Sequence, residues 1–447
     1  MAAPTEAGMN TFLQSGLRKA RWRLLPLLSI CYLVAYMDRA NISFAAKIMN
    51  RDLHFSAQTY GLGAGLFFLS YALLEVPSNR LMLRFGARRW LSRIMLTWGL
   101  IAGAMVLVRS VHEFYGARLL LGCAEAGYFP GVLYFLSQWF PRATRGQAIS
   151  LFYVSLPMST IVMGSLAGAL LGMDGKLGLR GWQWMFLVEA APAVVLSAVI
   201  WFGLPDNVAS AGWLSGEERQ AIAAELERDC MVDGGASQGN IWDALRNWRV
   251  WVLGVVYFFE LGMVYAMTFS LPIVLGQSTG WNATQVGYLI AWTGIAGAAL
   301  MVGGAWMSDR SLQPQRYVVS GFVLMGVGAL AAGLHLNGWS GVGAMLFMML
   351  SFYSIQGPML RVMTTIVPGK GAALAIGSVN MCGMVGGFVG PYWMGWMREV
   401  TGGYAFGIGA LCVPMLLAAV LMAWLMRAES RVVILDGMNV CEEEAIG

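Results

Sequence analysis

Long apolar stretches alternate with short polar segments along most of the 447 residues. Each stretch is about as long as the roughly 20 residues that an α-helix needs to cross the hydrocarbon core of a bilayer. The pattern predicts twelve membrane-spanning helices, at residues 24–46, 61–83, 91–108, 114–137, 148–171, 185–204, 250–275, 286–307, 317–336, 341–366, 372–397 and 404–426. We therefore expect an all-α polytopic membrane protein.

One long polar segment divides the twelve predicted helices into two sets of six. The expected organisation is a first tail, a first six-helix bundle, a central loop, a second six-helix bundle and a second tail, at residues 1–23, 24–204, 205–249, 250–426 and 427–447 respectively. Within the loop, SGEERQAIAAELERD is typical of a solvated amphipathic helix. Its Ser215, with Glu218 three residues later, resembles a capping box.

The positive charges predict an orientation. When both termini and the central loop are placed in the cytoplasm, most of the 29 Lys and Arg fall in cytoplasmic connections, as the positive-inside rule requires. The connections NRLMLRFGARR (79–89) and AWMSDRSLQPQR (305–316) occupy corresponding places in the two halves. A chain of two six-helix pseudo-repeats is the plan of a secondary transporter that works by alternating access.

Composition narrows the classes of function. With 58% hydrophobic and 12% charged residues and a mean hydropathy of +0.62, the chain is far more apolar than an average soluble protein. A net charge of +5 is too small to indicate nucleic-acid binding. The six Cys and three His show no metal-ligand spacing. We expect no metal and no cofactor. No nucleophile–base motif and no phosphate-binding loop is present, which argues against an enzyme and an ATP-driven pump.

Charged residues inside predicted spans are the candidate chemistry. Asp38 and Arg39 are consecutive in the first span, so they project about 100° apart on a helix, and each needs its own partner. Arg118 and Glu125 lie two turns apart on one face of the fourth span. One interpretation is a structural cluster that fixes helix packing. We favour the other, a transport site whose acids change charge during the cycle, because charges at membrane depth are costly and typically mark ion or substrate pathways.

Several motifs along most of the chain resemble one family. They are YMDRANISFA (36–45), EVPSNRLMLRFGARRW (75–90), RLLLGCAEAGYFPG (118–131), QWFPRATRGQA (138–148), GWQWMFLVEA (181–190) and GGFVGPYWMGW (386–396). The sequence resembles the major facilitator superfamily and, more narrowly, its anion:cation symporter family, in the branch of tartrate, phthalate, hydroxyphenylacetate and sugar-acid permeases. The resemblance implies a monomeric symporter in a bacterial inner membrane, which imports a small organic carboxylate together with protons.

The resemblance also implies residue roles. Asp38 and Glu125 would carry protons, Arg39 would bind the substrate carboxylate, and Arg118 would adjust Glu125. The complete set of candidate substrate-binding residues is Arg39, Arg118, Tyr36, Tyr71, Asn380 and Arg361. The candidate gating residues are Arg84, Arg88, Asp309 and Arg310. Because Leu83 replaces the family's acid before Arg84, we expect this gate to use other partners.

Two residues depart from the family pattern and leave alternatives open. Arg361 follows the Leu360 that replaces an aromatic residue, and Glu260 stands where an apolar or small residue is usual. Arg361 and Glu260 could pair between the seventh and tenth spans. Alternatively, Arg361 binds a second substrate carboxylate, or it extends to the cytoplasmic interface.

An exporter of a metabolite or drug is the alternative function. Exporters of cations in this family generally need an acidic cavity. Here the two arginines and two acids of the first half balance, which favours anions.

Overall fold

The structure, a computed structural model, describes residues 6–232, 246–310, 314–336, 338–366 and 372–427. Throughout these ranges the regular secondary structure is helical. The chain divides into two compact units, the first formed by Met1–Gln238 with Thr268–Ile295 and the second by Gly239–Met267 with Ala296–Gly447.

Nine helices precede the central loop's undescribed part and belong to the first unit. They are α1 (Glu6–Asp52), α2 (Ala57–Phe85), α3 (Ala87–Ala104), α4 (Val111–Glu125), α5 (Tyr128–Ser137), α6 (Arg142–Tyr153), α7 (Ser155–Leu171), α8 (Gly181–Gly203) and α9 (Gly216–Val232). The division between the units falls inside the next two helices, α10 (Trp248–Thr279) and α11 (Ala283–Arg310). The second unit continues with α12 (Pro314–Leu334), α13 (Trp339–Ile366), α14 (Ala372–Thr401) and α15 (Ala405–Arg427).

Each of the twelve predicted spans is largely helical, although two of them contain an interruption. Ten helical segments in the described part of the chain are long and apolar enough to cross a membrane. The remaining two predicted spans lie in α1 and α14. The prediction of an all-α polytopic membrane fold is confirmed. The predicted division into two bundles around 205–249 stays a prediction, because residues 233–245 lie outside the described part, as does most of the tail 427–447.

The fourth predicted span, 114–137, is not one continuous helix. α4 ends at Glu125, and α5 starts after Gly127, whose φ of 83° is left-handed. Ser78 of α2 donates a hydrogen bond to the carbonyl of Ala126 (2.6 Å), which the break leaves without a helical partner. Glycine is required here, because a Cβ on Gly127 would lie 2.5 Å from the hydroxyl of Ser78. The break therefore sets the end of α4, where Glu125 lies.

The fifth predicted span, 148–171, is also interrupted. α6 ends at Tyr153 and α7 begins at Ser155. Pro157 has no N–H to donate to the carbonyl of Tyr153, and its ring crowds that carbonyl, so the regular helix ends there.

The N-terminus of α9 is capped as predicted. Ser215 Oγ accepts a hydrogen bond from the Glu218 N–H (3.2 Å), and Glu218 Oε2 accepts one from the Ser215 N–H (2.9 Å). The same carboxylate accepts hydrogen bonds from Lys19 Nζ (2.9 Å) and Ser15 Oγ (2.7 Å) of α1. The capping box is confirmed, and it also attaches α9 to α1.

The prediction that α9 is a solvated helix is wrong for one of its faces. Ala221 and Ile222 are buried, and a Cβ on Gly16 of α1 would lie 2.9 Å from Ile222 Cδ1. The chain is already helical from Glu6, inside the segment 1–23 that was predicted as the first tail. The two buried residues are a small minority in a charged segment, and their partner is remote in sequence, so the pattern of α9 alone could not reveal the contact.

Close helix packing in the second unit depends on small residues. A Cβ on Gly390 of α14 would lie 2.0 Å from the carbonyl oxygen of Gly262 in α10, and one on Gly386 would lie 2.1 Å from that of Phe258. Two glycines four residues apart thus let the two backbones touch, which is how membrane helices gain packing contacts without a hydrophobic driving force.

Candidate functional site

The two consecutive charges of α1 turn to different neighbours, as their predicted angular separation requires. Asp38 and Arg39 are both buried, 2% and 4% exposed. Arg39 points to α4, and Asp38 points to α3. Each charge therefore has its own environment, and the two environments differ in chemistry.

Arg39 forms a buried ion pair with Glu125. Its Nε donates a hydrogen bond to Glu125 Oε1 (2.9 Å), and its terminal Nη2 donates a second one to the same oxygen. The other carboxylate oxygen, Oε2, is buried and has no hydrogen-bond donor among the described residues. This end-on geometry leaves one carboxylate oxygen unsatisfied, whereas a two-oxygen bidentate pair would satisfy both.

Aromatic rings surround the same guanidinium. The carbon Cζ of Arg39 lies 5.2 Å from the ring centre of Tyr36, 5.4 Å from that of Phe67 and 5.2 Å from that of Tyr71. These distances lie within the range of cation–π attraction. The structure thus brings together four of the predicted site residues, namely Arg39, Glu125, Tyr36 and Tyr71.

Arg118 holds α4 against α2. Its guanidinium donates hydrogen bonds to the carbonyl oxygens of Gly63 and Ala64 (3.3 Å each), and it lies 5.0 Å from the ring centre of Phe67. We expected Arg118 to be the residue that adjusts Glu125. In the structure it acts on that carboxylate only at longer electrostatic range, because its N–H groups are turned toward the α2 backbone.

Neutral donors hold Asp38. Asn41 Nδ2 donates to Asp38 Oδ1 (3.1 Å), and Trp98 Nε1 of α3 donates to Oδ2 (2.8 Å). Within the described part of the chain, Asp38 makes no ion pair within 4.0 Å. Arg118 and Arg39 influence it only through their fields. Such a carboxylate can gain or lose a proton without breaking an ion pair.

Sequence reasoning missed Glu189 as a site residue. It is in the motif GWQWMFLVEA and was used there only as part of a resemblance. In the structure Glu189 is 3% exposed on the face of α8 that packs on α1 and α3. The signal was present, because an acid in the middle of an apolar span is a functional candidate by itself.

In the second unit, Glu260 and Arg361 do not pair with each other. Glu260 is fully buried, and its Oε1 accepts a hydrogen bond from Gln356 Nε2 of α13 (2.7 Å). Arg361 Nη1 donates to the carbonyl oxygen of Ser308 at the end of α11 (2.9 Å). The hypothesis of a Glu260–Arg361 pair is therefore wrong for this structure, since Gln356 takes that place.

The remaining predicted residues are more scattered. Asn380 is partly buried in α14. Arg88 donates its backbone N–H to Asp206 Oδ1 (2.9 Å), and its Nε lies 3.6 Å from Oδ2. The other predicted gating arginines stack on neighbours in their own helices, Arg84 on Phe85 and Arg310 on Trp306. The side chain of Asp309 lies outside the described residues.

The described residues also contain no cluster of His, Cys, Asp and Glu that could hold a metal ion.

Comparison with known proteins gives a consistent result. A family model described as Major Facilitator Superfamily matches residues 28–391 and 253–434. A protein of Agrobacterium vitis named as a tartrate transporter is 39% identical over 418 residues, which are 92% of this chain and 96% of that protein. A protein of Acinetobacter baumannii named as a quinolone resistance transporter is 38% identical over 91% of this chain and 93% of its own length.

A solved structure shows the same fold. The crystal structure of a bacterial homologue of the human lysosomal transporter Spinster, in an inward-facing and occupied conformation, matches with a TM-score of 0.73. The match covers 91% of this chain and 97% of that one, at 16% sequence identity.

Proposed function

The chain belongs to the major facilitator superfamily, and from that premise we propose that it is a proton-coupled symporter which imports a small organic anion by alternating access. The observation that carries the proposal is the buried pair of Arg39 and Glu125. In that pair, a carboxylate of the protein occupies the guanidinium that a carboxylate of the substrate would need.

The pair couples proton and anion binding by competition. A protonated Glu125 is neutral and holds Arg39 weakly, so the guanidinium becomes available to an external carboxylate. When the substrate leaves, Glu125 loses its proton and closes on Arg39 again. Arginine suits this exchange because it stays charged and presents a planar fork to either carboxylate.

We propose that the substrate is a small hydroxylated or aromatic carboxylate. A tartrate-like hydroxy-dicarboxylate is supported by the name of the Agrobacterium vitis relative, and sugar acids and phthalate- or hydroxyphenylacetate-like acids belong to the same class. Tyr36 and Tyr71 flank the guanidinium of Arg39 and would contact the bound anion. Asn380 and Arg361 are further candidate substrate residues of the second unit taken by itself, where Arg361 would exchange the Ser308 carbonyl for a second carboxylate.

Import of an anion would have to proceed against a membrane potential that is negative inside. We place the protein in a bacterial inner membrane with both termini in the cytoplasm. Each negative charge moved inward against a potential of about 100 mV requires about 2.3 kcal/mol. Proton cotransport offsets that requirement, and Asp38 and Glu125 are the proposed carriers of the protons.

The test is proton movement in proteoliposomes that contain an internal pH dye. Tartrate, galactonate, phthalate and 4-hydroxyphenylacetate are added outside, one at a time. We expect at least one of them to acidify the lumen of liposomes with wild-type protein, and we expect no acidification with Asp38→Asn or Glu125→Gln. Arg39→Lys keeps the charge and loses the fork, so it should raise the anion concentration needed for half-maximal flux.

Two outcomes would overturn the proposal. Uptake of a radiolabelled acid with no proton movement would exclude proton coupling. If no acid of the panel caused proton movement or uptake, the proposed substrate class would be excluded, provided that the protein elutes as a single species and unfolds cooperatively.

Export of a drug is the second candidate, and one observation favours it. The relative from Acinetobacter baumannii is named for quinolone resistance and is nearly as similar as the tartrate relative. A fluoroquinolone that drives proton release from the same proteoliposomes, together with a raised inhibitory concentration in cells that express the protein, would favour the exporter.

A further inference from the structure

The junction of α2 and α3 carries a run of arginines with few anions to meet. Five arginines lie between residues 80 and 93, and no Asp or Glu occurs from residue 76 to residue 112. Asp206 approaches the run from elsewhere in the chain, and its carboxylate is taken by Arg88. The side chains that form no ion pair with any described residue are those of Arg80, Arg84, Arg89 and Arg93.

Two of these arginines lie on a pair of stacked aromatic rings. The rings of Phe85 and Trp90 are nearly parallel, with centres 5.8 Å apart and an angle of 13° between their planes. The Cζ of Arg84 lies 5.6 Å from the centre of the Phe85 ring. The Cζ of Arg93 lies 4.0 Å from the centre of the Trp90 ring. A guanidinium that stacks on a ring is held in place and still has N–H groups along its edge for an anion.

The Trp90 ring is fixed from inside the protein. Its Nε1 donates a hydrogen bond to Ser78 Oγ (3.0 Å), and Ser78 is itself bonded to the carbonyl of Ala126 at the break between α4 and α5. The position of the ring therefore depends on helix packing and not on a ligand. A surface that is in place before its ligand arrives loses less free energy to ordering when it binds.

Arg93 lies inside the apolar span and not at its end. The span begins at Ala87 and has 21 residues, which is just enough for a helix to cross about 30 Å of hydrocarbon. Between Ala87 and Arg93 the helix rises roughly 9 Å. The Nε of Arg93 is inaccessible to solvent and has no hydrogen-bond acceptor among the described residues. A cation at this depth is costly unless it is paired, so Arg93 needs an anion from the head-group layer.

The face of α3 that carries Arg93 continues as an apolar stripe. Four side chains follow one another at intervals of four, three and four residues and so lie on one side of the helix: Arg89, Arg93, Leu96 and Leu100. Both leucines are exposed, and an exposed leucine of a membrane-spanning helix faces lipid tails, which are equally apolar. On α2, Leu83 is 57% exposed where the family pattern has an acid. The surface is therefore basic at one end and apolar beyond it, as a phospholipid is anionic at one end and apolar beyond it.

We propose that the junction of α2 and α3 binds an anionic phospholipid. Arg84 and Arg93 hold its phosphate, and one acyl chain lies along the leucines of α3. A lipid with a net negative charge fits better than a zwitterionic one, because the nearby carboxylate of Asp206 is already paired with Arg88 and cannot meet an ammonium or choline group. Free phosphate fits less well, because it gains nothing from the apolar stripe. The site does not depend on the proposed substrate or on transport.

Native mass spectrometry of the purified full-length protein measures the binding. Phosphatidylglycerol and phosphatidylcholine with identical acyl chains are titrated separately, and each gives a dissociation constant for the first bound lipid. We expect wild type to bind phosphatidylglycerol more tightly than phosphatidylcholine. Arg93→Gln should weaken the binding of phosphatidylglycerol about fivefold, the usual contribution of one arginine near an anionic membrane surface. Arg93→Lys keeps the charge but not the planar contact with Trp90, so its affinity should lie between the two.

The matched control is Arg228→Gln, which removes the same charge from α9, where Arg228 pairs with Glu225. It should bind phosphatidylglycerol like wild type. The proposal is overturned if wild type binds both lipids equally well, or if Arg93→Gln binds like Arg228→Gln. Wild-type affinity in Arg93→Lys would indicate attraction by charge alone and would overturn the stacked site. Displacement of the lipid by inorganic phosphate would indicate a site for a free anion instead. If Arg93→Gln does not fold, the affinity of Arg93→Lys decides.

Discussion

Removing the charge of Glu125 leaves Arg39 as a buried cation without its carboxylate, and the consequences can be graded. Glu125→Leu deletes the acceptor, while Glu125→Gln keeps an oxygen for the same N–H groups. The double variant Arg39→Met with Glu125→Leu removes both charges and leaves apolar side chains of comparable size. Arg39 is 4% exposed, so water cannot replace the lost partner.

The expected losses in the free energy of unfolding differ among the three variants. Breaking a buried ion pair by removing one partner costs about 3–5 kcal/mol, whereas replacing both partners with apolar groups is often close to neutral. The amide of Gln keeps a neutral hydrogen bond but loses the charge assistance, a loss of about 1–2 kcal/mol. The three rings around Arg39 keep part of the cation's stabilisation in every single variant. We therefore expect wild type and the double variant to be the most stable, Glu125→Gln to be less stable, and Glu125→Leu to be the least stable.

Thermal unfolding in detergent, followed by tryptophan fluorescence at a fixed scan rate, measures this order as apparent midpoints. A bound carboxylate substrate would supply the missing partner, so it should raise the midpoint of Glu125→Leu more than that of wild type. The reasoning is refuted if the double variant is no more stable than Glu125→Leu, because no stranded cation would then account for the loss.

Two further predictions concern contacts outside this pair. Burial raises the pKa of Glu218, but hydrogen bonds from Lys19, the Ser215 backbone N–H and the Ser15 hydroxyl lower it by more. The pKa of Glu218 therefore lies below its ordinary value of 4.5. The contact of α9 with α1 should therefore keep its full strength above pH 4.5 and weaken as the pH falls through the lowered pKa of Glu218. Limited proteolysis of α9 at a series of pH values measures this. The proteolysis rate of Glu218→Gln should not depend on pH in this range. Trp98→Phe removes the 2.8 Å hydrogen bond to Asp38 and should lower stability by about 1–3 kcal/mol, less in an Asp38→Asn background, as thermal unfolding would show.

The helices could be predicted because their signal is local. Span length and apolar character are properties of neighbouring residues, and the capping box of Ser215 and Glu218 needs only four positions. The interruption after Glu125 depends instead on the packing of Gly127 against Ser78 of another helix. A hydrophobicity pattern treats the two sides of that break as one apolar stretch, so the sequence predicted a single span there.

The partners of the charged residues could not be predicted in the same way. Helical geometry indicates that Asp38 and Arg39 diverge, because their angle is fixed by the helix itself. It does not indicate that Arg39 meets Glu125, which lies 86 positions away, or that Arg118 turns to backbone carbonyls. Those outcomes depend on the rotation of each helix about its own axis, which the packing of all the neighbouring helices decides.

In the proposed symport mechanism, the divergence of Asp38 and Arg39 separates two ways in which a proton could act on anion binding. Protonation of Glu125 removes the counter-charge of an arginine and so favours an incoming anion. Protonation of Asp38 alters hydrogen bonds from two neutral donors, Asn41 and Trp98, and leaves every arginine with its direct partners. In the proposed mechanism, anion affinity would therefore be linked to the proton on Glu125 and only weakly to the proton on Asp38. Because two side chains about 100° apart cannot share one environment, α1 would act on both proposed proton sites, on Asp38 directly and on Glu125 of α4 through Arg39.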